Sequence, residues 1–164
     1  MSVKRVFENE ASAVFSADPL VVVVCTLGMP LETVKAIELE IETLSGYERG
    51  RPDADIKPIG LMIVMQGQTK PPEPDVRTYI NDWTRNDGGK IFENAGLSVV
   101  IERDGLWGST LRVVAKTIQL GNRATYPTEI FGTVEEAARF HAELVNLDVG
   151  KFTELLQGER AGAA

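Results

Sequence analysis

The chain has 164 residues, 43% of them hydrophobic and 25% charged, a length and balance that suit one domain whose core needs neither metal nor disulfide. Its 24 acidic residues outnumber the 17 basic ones, and the net charge of -7 argues against a nucleic-acid partner, whose phosphates require a basic surface. The single cysteine, Cys25, excludes a disulfide framework or a cysteine-rich zinc site within one chain and points to a reducing compartment.

In chain order, Met1 to Glu8 lacks the apolar segment of a secretion signal, and no apolar run approaches the ~20 residues that span a bilayer, so the expected localisation is cytoplasmic with no membrane span. Ser12 to Ala17 reads as a short strand closed by Asp18-Pro19. Leu20 to Leu27 is a valine-rich run of the kind that forms a central strand covered on both faces. After Gly28-Met29-Pro30, the apolar positions Leu31, Val34, Ile37, Ile41 and Leu44 recur at helical spacing as far as Ser45-Gly46. Tyr47 to Lys57 is polar and aperiodic, an exposed loop, and Ile59 to Met65 is a second buried strand.

A proline-rich loop then leads into a helix marked by Val76, Tyr79, Ile80 and Trp83, which the glycines of Asn86-Asp87-Gly88-Gly89-Lys90 end in a turn. That turn lacks the strand and the full spacing of a phosphate loop. Leu97 to Ile101 is a third apolar strand. Leu111, Val114, Ala115 and Ile118 restore helical spacing over Leu106 to Leu120, with Gly121-Asn122 as its stop. Thr128 to Phe131 is a short strand, and Thr133 with Glu136 makes a capping box for a helix that buries Val134, Ala137, Ala138, His141, Leu144 and Val145. A last amphipathic helix covers 148–157, beyond a main domain of 1–147, and the small residues of 158–164 read as a disordered tail.

The order β-β-α-β-α-β-α-β-α with an added helix predicts one α/β domain: a mostly parallel, mixed sheet of about five strands, four main helices and a short C-terminal helix. Over residues 12 to 146 this succession resembles the STAS fold, and within it the small bacterial SpoIIAA-like proteins related to anti-sigma factor antagonists. The closest local part is Leu106 to Tyr126 followed by Glu129-Ile130-Phe131-Gly132-Thr133-Val134-Glu135-Glu136-Ala137. The resemblance implies a non-enzymatic module that docks on a partner protein and is sometimes switched by phosphorylation of a Ser or Thr after an Asp, at the start of the helix following the third strand in chain order. Here the loop runs from Gln66 to Asp75 without an Asp-Ser pair; Thr69 is its only hydroxyl, and Glu73, Pro74 and Asp75 make the helix start a poor seat for phosphate.

Side chains with chemistry of their own are few. His141 falls on the buried side of its helix and Cys25 inside a valine run, so both fit structural roles. Glu38, Glu40 and Glu42 read as a solvated helix surface, as do Arg112, Lys116 and Arg123, and Trp83 reads as core. The expected ligand or partner surface is Gln66 and Thr69 at a strand end together with Trp107, Gly108 and Arg112 at a helix start, and the expected oligomer contact is Phe152, Leu155 and Leu156.

Neither a catalytic constellation, a cofactor motif nor a metal-ligand set is expected. The leading expectation is a regulatory, protein-interacting domain with a protein partner and a possible homodimer. The alternatives are a binder of a small ligand, nucleotide or lipid, and a self-assembling structural subunit.

Overall fold

The first three strands, β1 (Lys4–Glu8), β2 (Ser12–Ala17) and β3 (Leu20–Cys25), form an antiparallel meander, and β4 (Gly60–Gln66), β5 (Leu97–Glu102) and β6 (Thr128–Phe131) extend it in parallel from β3. Together they make one six-stranded mixed sheet whose spatial order is the chain order. The architecture comes from a computed structural model, which describes residues 1–66, 69–102 and 126–162. The chain is a single α/β domain. The expected helix over Leu106 to Leu120, with Trp107, Gly108, Arg112, Lys116 and Arg123, lies outside the described residues.

All six residues of β3 are buried, as its valine run requires. Side chains alternate along a strand, so Leu20, Val22 and Val24 serve one face of the sheet and Val21, Val23 and Cys25 the other. Helix α1 (Leu31–Ser45), helix α2 (Pro74–Trp83), a π turn (Thr84–Gly88) and the short α3 (Gly89–Phe92) lie on the second face, where Ile37, Ile41, Trp83, Ile91 and Phe92 join Val21 and Val23. Consecutive parallel strands linked by right-handed crossovers place their helices on one side. The opposite face is therefore closed by helices that follow β6: α4 (Val134–Ala142) and α5 (Val149–Ala161). Ala137, Ala138, Phe152 and Leu156 pack there on Phe15, Val22, Met62, Val64 and Val100.

The local sequence accounts for most helix ends. Helix α1 stops at Gly46, whose φ of 67° is a left-handed cap that favours glycine. Thr133 and Glu136 form the expected capping box of α4, and the Asp148 side chain accepts from the Lys151 N–H to start α5. Pro74 occupies the first turn of α2, where its missing N–H costs nothing. The β1–β2 turn is held by Asn9, whose Oδ1 accepts from the N–H groups of Ala11 and Ser12, both at 2.9 Å.

Three expectations about elements are corrected. The sheet has a sixth strand, β1, missed because an edge strand of sequence Lys-Arg-Val-Phe-Glu buries little and carries charge at both ends. The glycines at 88 and 89 do not end a helix in a turn. Gly88 sits in the π turn against the Trp83 ring, so close that a Cβ would lie 2.7 Å from Cζ3, and the chain stays helical until Phe92 is buried. Finally, α5 runs on to Ala161, through residues assigned to a disordered tail, because contacts described below hold its last turn.

No helix among the described residues is long and apolar enough to cross a membrane.

Candidate functional site

Gln66 and Glu102 end the neighbouring strands β4 and β5 and are partners in the parallel register. Each is two residues beyond a core valine, Val64 or Val100, so both side chains emerge on the face covered by α4 and α5. Helix α5 brings Arg160 over them. Its Nη1 and Nη2 donate to the two Glu102 oxygens at 3.1 and 2.8 Å, a forked pair, and Gln66 Nε2 donates to Glu102 Oε2 at 2.6 Å. Burial alone would push the Glu102 carboxyl up, but the hydrogen bonds from Arg160 and Gln66 outweigh it and hold the group below its ordinary range.

A second arginine fixes the same end of α5. Arg5 Nη2 donates to the Glu159 carbonyl at 2.7 Å, a cation at a helix C-terminus. Its Nη1 pairs with Glu8 at 2.8 Å, and its guanidinium carbon lies 5.5 Å from the Phe15 ring centre.

Between these contacts opens a cleft of about 780 Å³, bounded by β2, the carboxyl ends of β3, β4 and β5, the first turn of α4 and the last turns of α5. Ala13, Phe15, Val24 and Leu156 give it an apolar floor, and Gln66, Glu102 and Arg160 a polar wall. The carboxyl ends of parallel strands are where open α/β sheets seat ligands, because the chain leaves the sheet there in loops and helix starts that can be varied without disturbing the core.

Of the residues expected at a ligand or partner surface, Gln66 lines the cleft. Thr69 does not line it: its hydroxyl lies 2.6 Å from the Cys25 carbonyl and 2.5 Å from the Gln66 carbonyl, while the Lys70 N–H donates to Leu27 at 3.0 Å. These bonds pin the loop to the end of β3. Trp107, Gly108 and Arg112 fall outside the described residues. Of the expected oligomer contact, Phe152 and Leu156 are 0% and 1% exposed in the chain's own core, and Leu155 packs partly buried against it. The physical reason is that α5 has to close the sheet face that the crossover helices leave open.

The reactive side chains are sealed. His141 is fully buried; Nδ1 lies 2.8 Å from the Ala95 carbonyl and Nε2 2.8 Å from Ser98 Oγ. A carbonyl can only accept, so Nδ1 carries the proton and Nε2 accepts from the serine. Burial drives the imidazole down to about 4, against a smaller opposing effect of the Ala95 bond, so the ring is neutral at pH 7. Cys25 is 1% exposed, and burial pushes its thiol up to about 12.

Glu38 and Glu42, four residues apart, are not simply solvated. They face α2, where Glu38 accepts from Tyr79 OH at 2.5 Å and Glu42 from Trp83 Nε1 at 3.4 Å. Burial, chiefly, raises the Glu42 carboxyl above its usual range. No group of three His, Cys, Asp or Glu among the described residues is placed to hold a metal ion.

Compared with protein-family models, with curated proteins and with solved structures, the chain matches none of them.

Glu102, Arg160 and Arg5 carry the geometry of the cleft and escaped the sequence reading. Glu102 could have been found as the polar residue that ends an apolar strand, as Gln66 was. Arg160 and Arg5 carry no such mark, since they lie on a helix end and an edge strand that meet only in the folded chain.

Proposed function

We propose that this chain is a non-enzymatic, cytoplasmic ligand-binding module of regulatory type, STAS-like as its element order suggests, with the cleft between α5 and the ends of β3, β4 and β5 as its seat. One observation carries the proposal: a cleft of about 780 Å³ at the carboxyl end of the parallel strands, with an apolar floor and a few polar groups fixed by one another. That volume suits a molecule of drug or metabolite size. The only imidazole and the only thiol of the chain are buried away from the cleft, which favours binding over turnover. A module of this kind acts by reporting occupancy to a partner protein. Self-assembly through α5 has less support, because its large apolar residues face their own sheet.

The test is native mass spectrometry on protein isolated gently, paired with an Ala13→Phe variant that fills the cleft floor. A dissociable compound on the parent chain and its loss from a folded variant support the proposal. A compound retained by the variant, or turnover that disappears with His141→Ala or Cys25→Ala, would refute it.

A further inference from the structure

The charges around the cleft select among ligands. Among the described residues, four carboxylates border it, those of Glu8, Glu10, Glu102 and Glu135, against one guanidinium, Arg160. Arg160 is already committed to Glu102 through both of its terminal nitrogens. Glu8 and Glu135 are paired with Arg5 and Arg139, neither of which lines the cleft, and both carboxylates keep an exposed side at 49% and 60%. Glu10 is exposed and has no hydrogen-bond or ion-pair partner among the described residues.

An incoming phosphate or carboxylate would therefore find the one cation among the described lining residues occupied and meet three further negative groups. It could recruit Arg160 only by stripping the half-buried Glu102 of its forked partner, which leaves that carboxylate desolvated and unpaired. A cation meets the opposite situation, since unpaired and half-paired carboxylates concentrate positive ligands at the mouth of the cleft. Behind that rim, Ala13, Phe15, Val24 and Leu156 offer a surface on which methylene groups leave water.

Resting on the cleft as ligand seat, we infer that the ligand is a small amphiphilic amine, with a protonated amino group held at the rim by Glu10, Glu8 and Glu135 and a short apolar body on the floor. Nucleotides and anionic lipids are disfavoured by the same charges.

The experiment compares three probes of one chain length, octylamine, octan-1-ol and octanoate, each titrated into the full chain at low ionic strength and followed by the backbone amide shifts of Ala13, Val24, Thr26 and Leu156. Octylamine is expected to bind about tenfold more tightly than octan-1-ol, octanoate not to bind, and the preference to shrink severalfold in Glu10→Gln and in high salt. Equal binding of octan-1-ol or octanoate at these amides would overturn the inference about charge while leaving the cleft as a ligand seat. Octylamine shifts confined to other acidic surfaces, with these four amides still for every probe, would overturn both.

Discussion

Acidification from pH 7 to pH 5 is expected to weaken the fold through the buried His141. In the native chain Nδ1–H donates to Ala95 and Nε2 accepts from Ser98, so a second proton requires the Ser98 hydroxyl to turn from donor to acceptor and places a charge inside a fully buried site. The native imidazole protonates at about 4, whereas in the unfolded chain it does so near its ordinary 6.5. Between those values the unfolded state binds the proton and the native state does not. Stability therefore falls as pH drops from 6.5 towards 4 and levels off below. The full loss is about 3 kcal/mol, and about 2 kcal/mol of it is in place at pH 5.

Glu102 does not confuse the comparison. Its native carboxyl is held below its ordinary value, so the stability it supplies is intact above the unfolded carboxyl's range and is lost only as pH falls through the lower native one. Urea denaturation of the parent chain and of His141→Gln at pH 7 and pH 5, with the imidazole nitrogens followed by NMR, checks the argument. The parent should lose about 2 kcal/mol more than the variant on acidification. Equal losses in the two proteins, or a native imidazole titrating near 6.5, would refute it.

Gly60→Ala should destabilise by about 1–3 kcal/mol, because a Cβ there meets Leu20 Cδ2 at 2.6 Å, His141 Nδ1 at 2.7 Å and the Ala95 carbonyl at 2.9 Å; the urea midpoint reads it. Phe152→Ala should cost about 3–5 kcal/mol, since the ring is fully buried against the sheet, and the thermal melting point checks it. For the same reason, deleting residues 148–164 should give an unfolded or aggregated product by circular dichroism and light scattering, whereas a soluble folded monomer would return α5 to a role between chains. Thr69→Val removes the hydroxyl that ties the loop to Cys25 and Gln66 and should speed amide hydrogen exchange at Thr69 and Lys70 while costing about 1 kcal/mol or less in global stability. Unchanged exchange would show that the hydroxyl does not hold the loop.

The sequence by itself determined the elements that bury most. Val21 to Cys25 must be a strand covered on both faces, and Leu31 to Ser45 can hide its apolar stripe only as a helix on a sheet. Thr133 with Glu136 fixes a helix start within three residues of chain, and His141 falls on a buried side by spacing alone. All of these are local patterns, legible because side-chain period and burial go together.

The tertiary structure decided what depends on distant neighbours. Edge strand β1 has too little buried surface to announce itself, and Gly88-Gly89 stays helical only because Trp83 and Phe92 pack around it. The run from Gly158 to Ala161 is polar and small, a tail by composition. It becomes the last turn of a helix because Arg5, 154 residues away in sequence, holds the Glu159 carbonyl and Glu102, 58 residues away, holds Arg160. The cleft is built from those same contacts: Gln66 and Glu102 are marked in the sequence as polar ends of apolar strands, whereas Arg5 and Arg160 acquire their roles from partners that folding brings to them.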